Sequence, residues 1–388
     1  MKKIKVYYWS PFIDKVATTQ AVLNSVFSLN KYSKSKFEAI IIDVFGEWLI
    51  NDLKSNQYLK FYKLNNFNFL NKFSSHGFVK SRLKYLLIFF LSYFPLKNFI
   101  KIRRPDYLVI HLITSLPLFM NLINNFDTKI ILRISGKPKL NLLRYLFWSF
   151  ALKKIHRVTF PSIETLNYFR NLNIIDEHKL ELLYDPIINT RHLGKIKKEK
   201  FLGSGEFYLA IGRFTRQKNF LFLIKCFELL CKKDQNIKLI ILGDGEQRKN
   251  FQKYIKKKNL EENIILPGYE KNVHKYLSNC KLFILSSLWE DPGFVLVEAM
   301  FSEALVLSSD CSSGPKEILS TNEKRGVLFK SDNMEDFTKK FNEIKKFEDN
   351  KIKKMKFHAK IFTKNYTLFY HHNSLIKILN KKDPWKKN

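Results

Sequence analysis

Cysteine is scarce, and its spacing is uninformative for metals. Cys226, Cys231, Cys280 and Cys311 form no Cys-x-x-Cys pair and have no histidine partner at ligand spacing, so neither a zinc site nor a disulfide framework is indicated and a reducing compartment fits. Only 13 glycines and 11 prolines occur in 388 residues, which excludes a fibrous or linker-rich chain. There is no low-complexity tract and no repeat at solenoid spacing. No Asp-x-Asp triplet is present to hold a divalent cation against a diphosphate. The amino terminus, "MKKIKVYYWSPF", lacks the apolar stretch and small-residue site of a signal peptide and reads as a first β-strand, so the protein is expected in the cytoplasm.

The longest apolar run, "YLLIFFLSYFPL" from Tyr85 to Leu96, falls short of the roughly 20 residues that cross a bilayer. Lys80, Arg82 and Lys84 precede it, and Lys97, Lys101, Arg103 and Arg104 follow it. Two readings stand: an element lying in the headgroup layer of an anionic membrane, or a core helix with solvated basic ends. What the chain has in excess is positive charge. A formal +33 restricts partners to nucleic acid, an anionic membrane face or phosphorylated substrates. Codon bias toward Lys, Asn, Ile and Phe accounts equally well for part of it. The basic residues are spread along the chain without a nucleic-acid-binding signature, so no nucleic-acid partner is expected.

With 45% hydrophobic residues, the length suits two domains that each bury a core. Short β-rich runs alternate with helical stretches: "IKVYYWS", "FEAIIIDVFG", "DYLVIHLI", "TKIILRIS" and "HRVTFPS" in the first half, "FYLAIGRF", "IKLIILGDG", "NIILPGY", "CKLFILSS" and "ALVLSSD" in the second. Strand then helix, repeated, predicts parallel sheets wrapped by helices. The expected organisation is an α/β chain with domain 1–185, linker 186–205, domain 206–364 and a final helix, 365–388.

Most of these strands end in Gly, Ser or Asn, placing polar loops at the carboxyl ends, where open α/β sheets bind ligands. "AIGRFTRQKNF" sets Arg213 and Lys218 after a strand, with Gly212 allowing close backbone approach. Two such cations suit a diphosphate, though in so basic a chain they also read as solvated loop charges. "ILGDGEQ" makes a tight turn of Gly243, Asp244 and Gly245 opening onto a helix. In "SSLWEDPGFVLVEAM" a helix is predicted to begin near Pro292 to Phe294 with Asp291 as its cap. The amides of Gly293, Phe294 and Val295 would then face phosphate oxygens at the positive end of the helix dipole. Glu298, about one turn inside, is placed to accept bonds from vicinal ribose hydroxyls, while Glu290 faces whatever the diphosphate carries.

The spacing Glu290-x7-Glu298, with "GRFTRQKN" upstream and "SSDCSSGPKEIL" downstream, closely resembles glycosyltransferase family 4, retaining nucleotide-sugar transferases of the GT-B fold. The resemblance spans the chain and is strongest from Tyr208 to Leu328. It implies two Rossmann-like domains facing each other across a cleft, the first binding acceptor and the second a nucleotide-sugar donor, with the last helix crossing back to the first. It further implies that Arg213 and Lys218 hold the diphosphate, Glu298 the ribose and Glu290 the donor sugar. Gly314-Pro315-Lys316-Glu317 resembles a subgroup making bacterial surface glycans, often from N-acetylhexosamine donors, which adds Lys316 and Glu317 to the donor site. On the acceptor side "VIHLITSLP" offers His111, and "LRISGKPKL" offers Arg133, Ser135 and Gly136. A lone histidine at a strand end is as readily structural. One departure stands out: many relatives carry a glycine pair after the first strand, whereas "WSPFIDKVATTQ" has none, which points to Asp14, Lys15 or Thr18 contributing side chains instead. The expected chemistry needs no metal and no cofactor. It takes a UDP-sugar as co-substrate, a glycan or lipid-linked acceptor, and a peripheral position on the inner membrane face.

Overall fold

The computed structural model describes residues 3–13, 17–48, 56–66, 78–138, 140–190 and 205–381. It divides into two compact units, Met1–Pro186 with Leu368–Asn388, and Ile187–Thr367. Of the expected linker, residues 191–204 lie outside the described residues, as do Asp14 and Lys15.

The first unit is a parallel sheet of β1 Ile4–Trp9, β2 Phe37–Asp43, β3 Phe61–Lys63, β4 Tyr107–Ile110, β5 Lys129–Arg133, β6 Arg157–Phe160 and β7 Leu180–Leu182. Its order is β3-β2-β1-β4-β5-β6-β7, so the winding reverses between β1 and β4, whose pairing runs from Val6 with Tyr107 to Trp9 with Ile110. Both sheet faces are buried, which is why these strands read as continuous apolar runs rather than as alternation. Tyr7, Trp9, Leu108, Ile110, Ile130 and Leu132 pack on one face against Ile88, Leu96, Leu116, Leu118, Ala151 and Leu152. That face is covered by helices Phe78–Arg103, Ser115–Ile123 and Leu142–Ala151. On the other face Val6, Tyr8, Ala39, Ile41, Val109 and Ile131 meet Val22, Val26 and Leu29 of helix Ala17–Tyr32 and Leu375, Ile378 and Leu379 of helix Leu368–Asn380. The last helix thus completes the first unit, as expected.

Two buried polar groupings fix that arrangement. Tyr8 Oη lies 2.9 Å from Ser25 Oγ, which lies 2.8 Å from His371 Nε2. His371 Nδ1 is 2.8 Å from the Tyr184 carbonyl. A carbonyl only accepts, so Nδ1 carries the proton and Nε2 accepts from Ser25. Burial lowers the His371 pKa to about 4, against the pull of that carbonyl. Beside it Arg133 makes a bidentate pair with Asp185, Nε to Oδ1 at 2.8 Å and Nη2 to Oδ2, and its Nη1 donates to Ser135 Oγ at 2.5 Å.

The second unit repeats the plan with β8 Tyr208–Ile211, β9 Leu239–Leu242, β10 Ile264–Gly268, β11 Leu282–Leu285, β12 Val306–Ser309 and β13 Val327–Phe329, in the parallel order β10-β9-β8-β11-β12-β13. The reversal falls between β8 and β11. An aromatic core of Phe214, Phe220, Phe227, Phe251, Phe329, Phe337 and Phe341 fills the space between sheet and helices.

One expectation on length is corrected. The apolar segment does not stop at Leu96: helix Phe78–Arg103 runs through Pro95, and its 22 residues from Arg82 to Arg103 are long and apolar enough to cross a bilayer. Leu96, Phe99 and Ile100 nevertheless pack in the core, which holds the helix against the sheet.

Removing the carboxylate charge opposite buried Arg133 leaves a cation without its pair, which costs about 3–5 kcal/mol. Asp185→Asn is therefore expected to speed opening of the first unit, read as faster hydrogen exchange at β5 and β6 amides with β8 and β11 unchanged.

Candidate active site

The sequence-singled residues of the second unit gather at the carboxyl ends of β8, β9, β11 and β12. The turn after β8 is a 3-10 helix, Arg216–Lys218, and it is stitched to the loop after β11. Leu288 N donates to the Gln217 carbonyl at 2.8 Å, Gln217 Nε2 to the Trp289 carbonyl at 2.9 Å, and Ser286 Oγ to the Lys218 carbonyl at 2.8 Å. Lys218 Nζ meets Glu290 Oε1 at 2.5 Å, and Ser287 Oγ donates to the same oxygen at 2.5 Å. The Lys218 stem runs over Gly212, where a Cβ would come within 3.1 Å of it. Glu290 is buried, so the pair replaces the water each charge has given up. Oε2 of Glu290 has no protein donor among the described residues.

Around this pair the loops interlock. Gly212 N donates to the Leu242 carbonyl at 3.0 Å and Phe214 N to the Asp244 carbonyl at 2.8 Å. Gly243 N donates to Gly268, and Asp244 closes its own turn through the Gly245 amide at 2.7 Å. Arg213 projects exposed from the β8 loop, and its guanidinium makes no ion pair among the described residues. Lys316 stands 3.5 Å from Asp310 and is half exposed, while the Glu317 carbonyl takes a bond from Arg325. A Cβ on Gly314, at φ +138°, would fall 1.8 Å from the Pro292 carbonyl, so only glycine lets the β12 loop lie on the β11 loop.

The helix after β11 begins within the expected stretch, but its cap differs. It spans Phe294–Phe301 and its N-cap is Gly293, with no side-chain cap bond, so Asp291 is not the cap. Gly293 sits at φ +92°, a left-handed conformation that favours glycine and cannot continue a helix. Pro292 therefore precedes the helix, joined by a cis peptide to Asp291. Phe294 and Val295 fall in the first turn, where amides lack intrahelical acceptors. Glu298 follows on the same helix. As a residue it is part-exposed, yet the protein packed around its carboxyl raises the pKa to about 7, with Lys218 pulling it down. Burial raises the Cys311 thiol to about 11.

In the first unit His111 follows β4 and is buried, its ring 5.9 Å from that of Tyr8. Burial, then Arg133 and His371, hold its pKa well below the usual histidine value, so the imidazole is neutral. Its Nδ1 has no hydrogen-bond partner among the described residues. Arg133 ends β5 and is committed to Asp185 and Ser135 as described. Thr18 lies in helix Ala17–Tyr32.

Sequence reasoning missed Ser287 and Asp185. The first lies in the Ser-Ser that ends "LFILSS", the second in the Asp-Pro of "YDPI". Both were legible only as loop punctuation. Among the described residues no group of three His, Cys, Asp or Glu side chains could hold a metal ion.

Residues 194–361, nearly the whole second unit, match the family of glycosyl transferases group 1. Over these residues the second unit is similar to group 1 glycosyltransferases. Among curated relatives, an uncharacterized glycosyltransferase of Methanocaldococcus jannaschii is 39% identical over 38% of this chain and 35% of its own length. The N-acetylgalactosamine-N,N'-diacetylbacillosaminyl-diphospho-undecaprenol 4-alpha-N-acetylgalactosaminyltransferase of Campylobacter jejuni is 28% identical over 66% of this chain and 68% of its own. The poly(ribitol-phosphate) alpha-N-acetylglucosaminyltransferase of Staphylococcus aureus is 35% identical over 34% and 26%. The matched stretch thus spans about a third or less of the first and third relatives. Among solved structures, TarM has a TM-score of 0.72 at 16% identity, covering 98% of this chain and 99% of that one. Anabaena HepE with UDP and glucose has 0.69 at 14%, covering 97% and 99%. The fold is that of the GT-B glycosyltransferases.

The second unit carries a pH signature. Because the folded pKa of Glu298, about 7, exceeds the ordinary 4.5, its contribution is fully present below about 4.5 and is lost as pH rises through about 7. Glu298→Gln is expected to flatten that decline, read as the pH dependence of the denaturant midpoint of the second unit.

Proposed function

We propose that the chain is a retaining glycosyltransferase of family 4. It transfers a hexose or N-acetylhexosamine from a UDP-sugar to a glycan or lipid-linked acceptor in cell-surface polysaccharide, lipopolysaccharide or capsule assembly. The observation that carries this reading is the Lys218–Glu290 pair beside Glu298 and the Gly293 helix start. Arg213 and Lys218 take the diphosphate, with the Gly293, Phe294 and Val295 amides alongside. Glu298 accepts from the ribose hydroxyls. Glu290 keeps Oε1 on Lys218 and Ser287 and offers Oε2 to a donor-sugar hydroxyl. The loops of Gly212, Gly243–Asp244 and Lys316–Glu317 line the same donor pocket. Neutral His111 serves the acceptor side as a hydrogen-bonding group, and Arg133 with Ser135 positions the β5 end beneath it.

In the same-face route the bond from the anomeric carbon to the diphosphate oxygen breaks while the acceptor oxygen bonds to that carbon on the same side. The acceptor's proton passes to the departing diphosphate. Charge grows on the leaving group, and positioned cations and amides stabilise it. Two side-chain cations stand where a bound divalent ion would otherwise act, so no metal is required and activity is expected to persist in excess chelator.

Release of nucleoside diphosphate from UDP-, GDP- and ADP-sugars, with chelator and membrane lipid extract as acceptor source, tests the reading. Selective release from one UDP-sugar, abolished in Glu298→Ala, is the expected result. Arg213→Ala is expected to raise the barrier by about 2.7–4 kcal/mol, a loss of roughly a hundredfold or more in kcat. Release from no donor overturns the catalytic assignment, and loss of activity in chelator overturns metal independence.

A further inference from the structure

Helix Phe78–Arg103 is apolar on all sides, yet only one side is covered. Ile88, Leu96, Phe99 and Ile100 are buried against the sheet. On the outward side Leu83, Leu86, Phe90 and Phe94 follow one another at helical spacing in the open, Phe90 at 69% and Phe94 at 68% exposure. Its neighbours on the same sheet face do likewise. Phe119 and Ile123 of helix Ser115–Ile123 are exposed, and the Phe89 and Phe119 rings, 5.9 Å apart, join the two helices. Helix Leu142–Ala151 exposes Leu142, Leu143, Leu146 and Phe150, Leu143 at 78%. A continuous apolar outer surface on three adjacent helices is not what a protein leaves in water.

The charge around this surface selects its occupant. None of the three helices contains an aspartate or glutamate. Their charged residues are all basic, and Lys97, Lys101, Arg103 and Arg144 lie outside the core, with Arg104 directly after the first helix. Tyr85 and Tyr145 are also part of the exposed set, an amphipathic type suited to the membrane–water interface. A protein partner, or a second copy of this chain, would place cations against a surface it must complement. An anionic bilayer accepts the aliphatic and aromatic side chains into its acyl boundary and the cations among its headgroups. The buried side of the long helix excludes a transmembrane path while the first unit is folded, so the three helices lie parallel to the membrane plane.

We propose that the outer face of helices Phe78–Arg103, Ser115–Ile123 and Leu142–Ala151 is an in-plane docking surface for an anionic lipid bilayer. The readout needs no sugar donor, so its outcome is separate from that of the transferase assay. The full chain is sedimented with phosphatidylcholine vesicles and with vesicles containing phosphatidylglycerol. Binding to the anionic vesicles is expected, weakened by salt and reduced at least about tenfold in the variant Phe90→Ser, Phe94→Ser, Leu143→Ser, Phe150→Ser. Circular dichroism melting of that variant is expected to match the native chain, because all four side chains are more than half exposed. Phe90→Trp is expected to be quenched by brominated phosphatidylglycerol. Native-level vesicle binding by the serine variant, no quenching, or a native dimer that the serine substitutions dissociate overturns the proposal, the last by assigning the face to a second copy.

Discussion

A cation and a carboxylate, Lys218 and Glu290, hold two loops of the second unit together. The two residues come from loops on either side of the point where the sheet reverses, and their contact is reinforced by backbone bonds between Gln217 and Leu288 and by Ser286 and Ser287. In a buried setting such a pair stays bound only where both partners are held by further bonds, and the loops supply them. In the proposed function, a diphosphate would meet a lysine already positioned by Glu290 and Ser286, and its binding would share one positive charge between a carboxylate and a phosphate.

Much of this was legible beforehand, and the reasons differ by element. The longer buried strands were recoverable because parallel strands covered on both faces read as apolar runs ending in small polar residues, as in "LFILSS" and "LAIGRF". The three-residue strands β3, β7 and β13 carry no such run and were missed. The bracket of Glu290 and Glu298 stood out because a carboxylate inside an apolar stretch has no packing purpose, and the structure brings Lys218 to both. The helix start at Phe294 fell within the expected stretch, but its cap did not: proline and aspartate signal an N-terminus, whereas the left-handed Gly293 takes the cap position in place of Asp291.

Long-range pairing was hidden for a different reason. Nothing near Arg133 in sequence foretells Asp185, nor does anything near Ser25 foretell His371, because each partner arrives from another element of the first unit. The neutrality of His111 follows from such neighbours and from burial, neither of which a single sequence displays. Exposure is the third hidden quantity. A helix hydrophobic all round reads as core, and only the fold shows that Leu86, Phe90 and Phe94 face outward while Ile88 and Leu96 face in.

The assignment of the last helix to the first unit bears on how the chain comes off the ribosome. Ile187–Thr367 is one uninterrupted stretch, so the second unit has all of its described strands in hand before helix Leu368–Asn380 is made. The first unit, begun earlier, waits for Leu375, Ile378 and Leu379 to close one face of its sheet and for His371 to reach Ser25. Until those residues arrive, that face of the first unit's sheet lacks one of its covering helices.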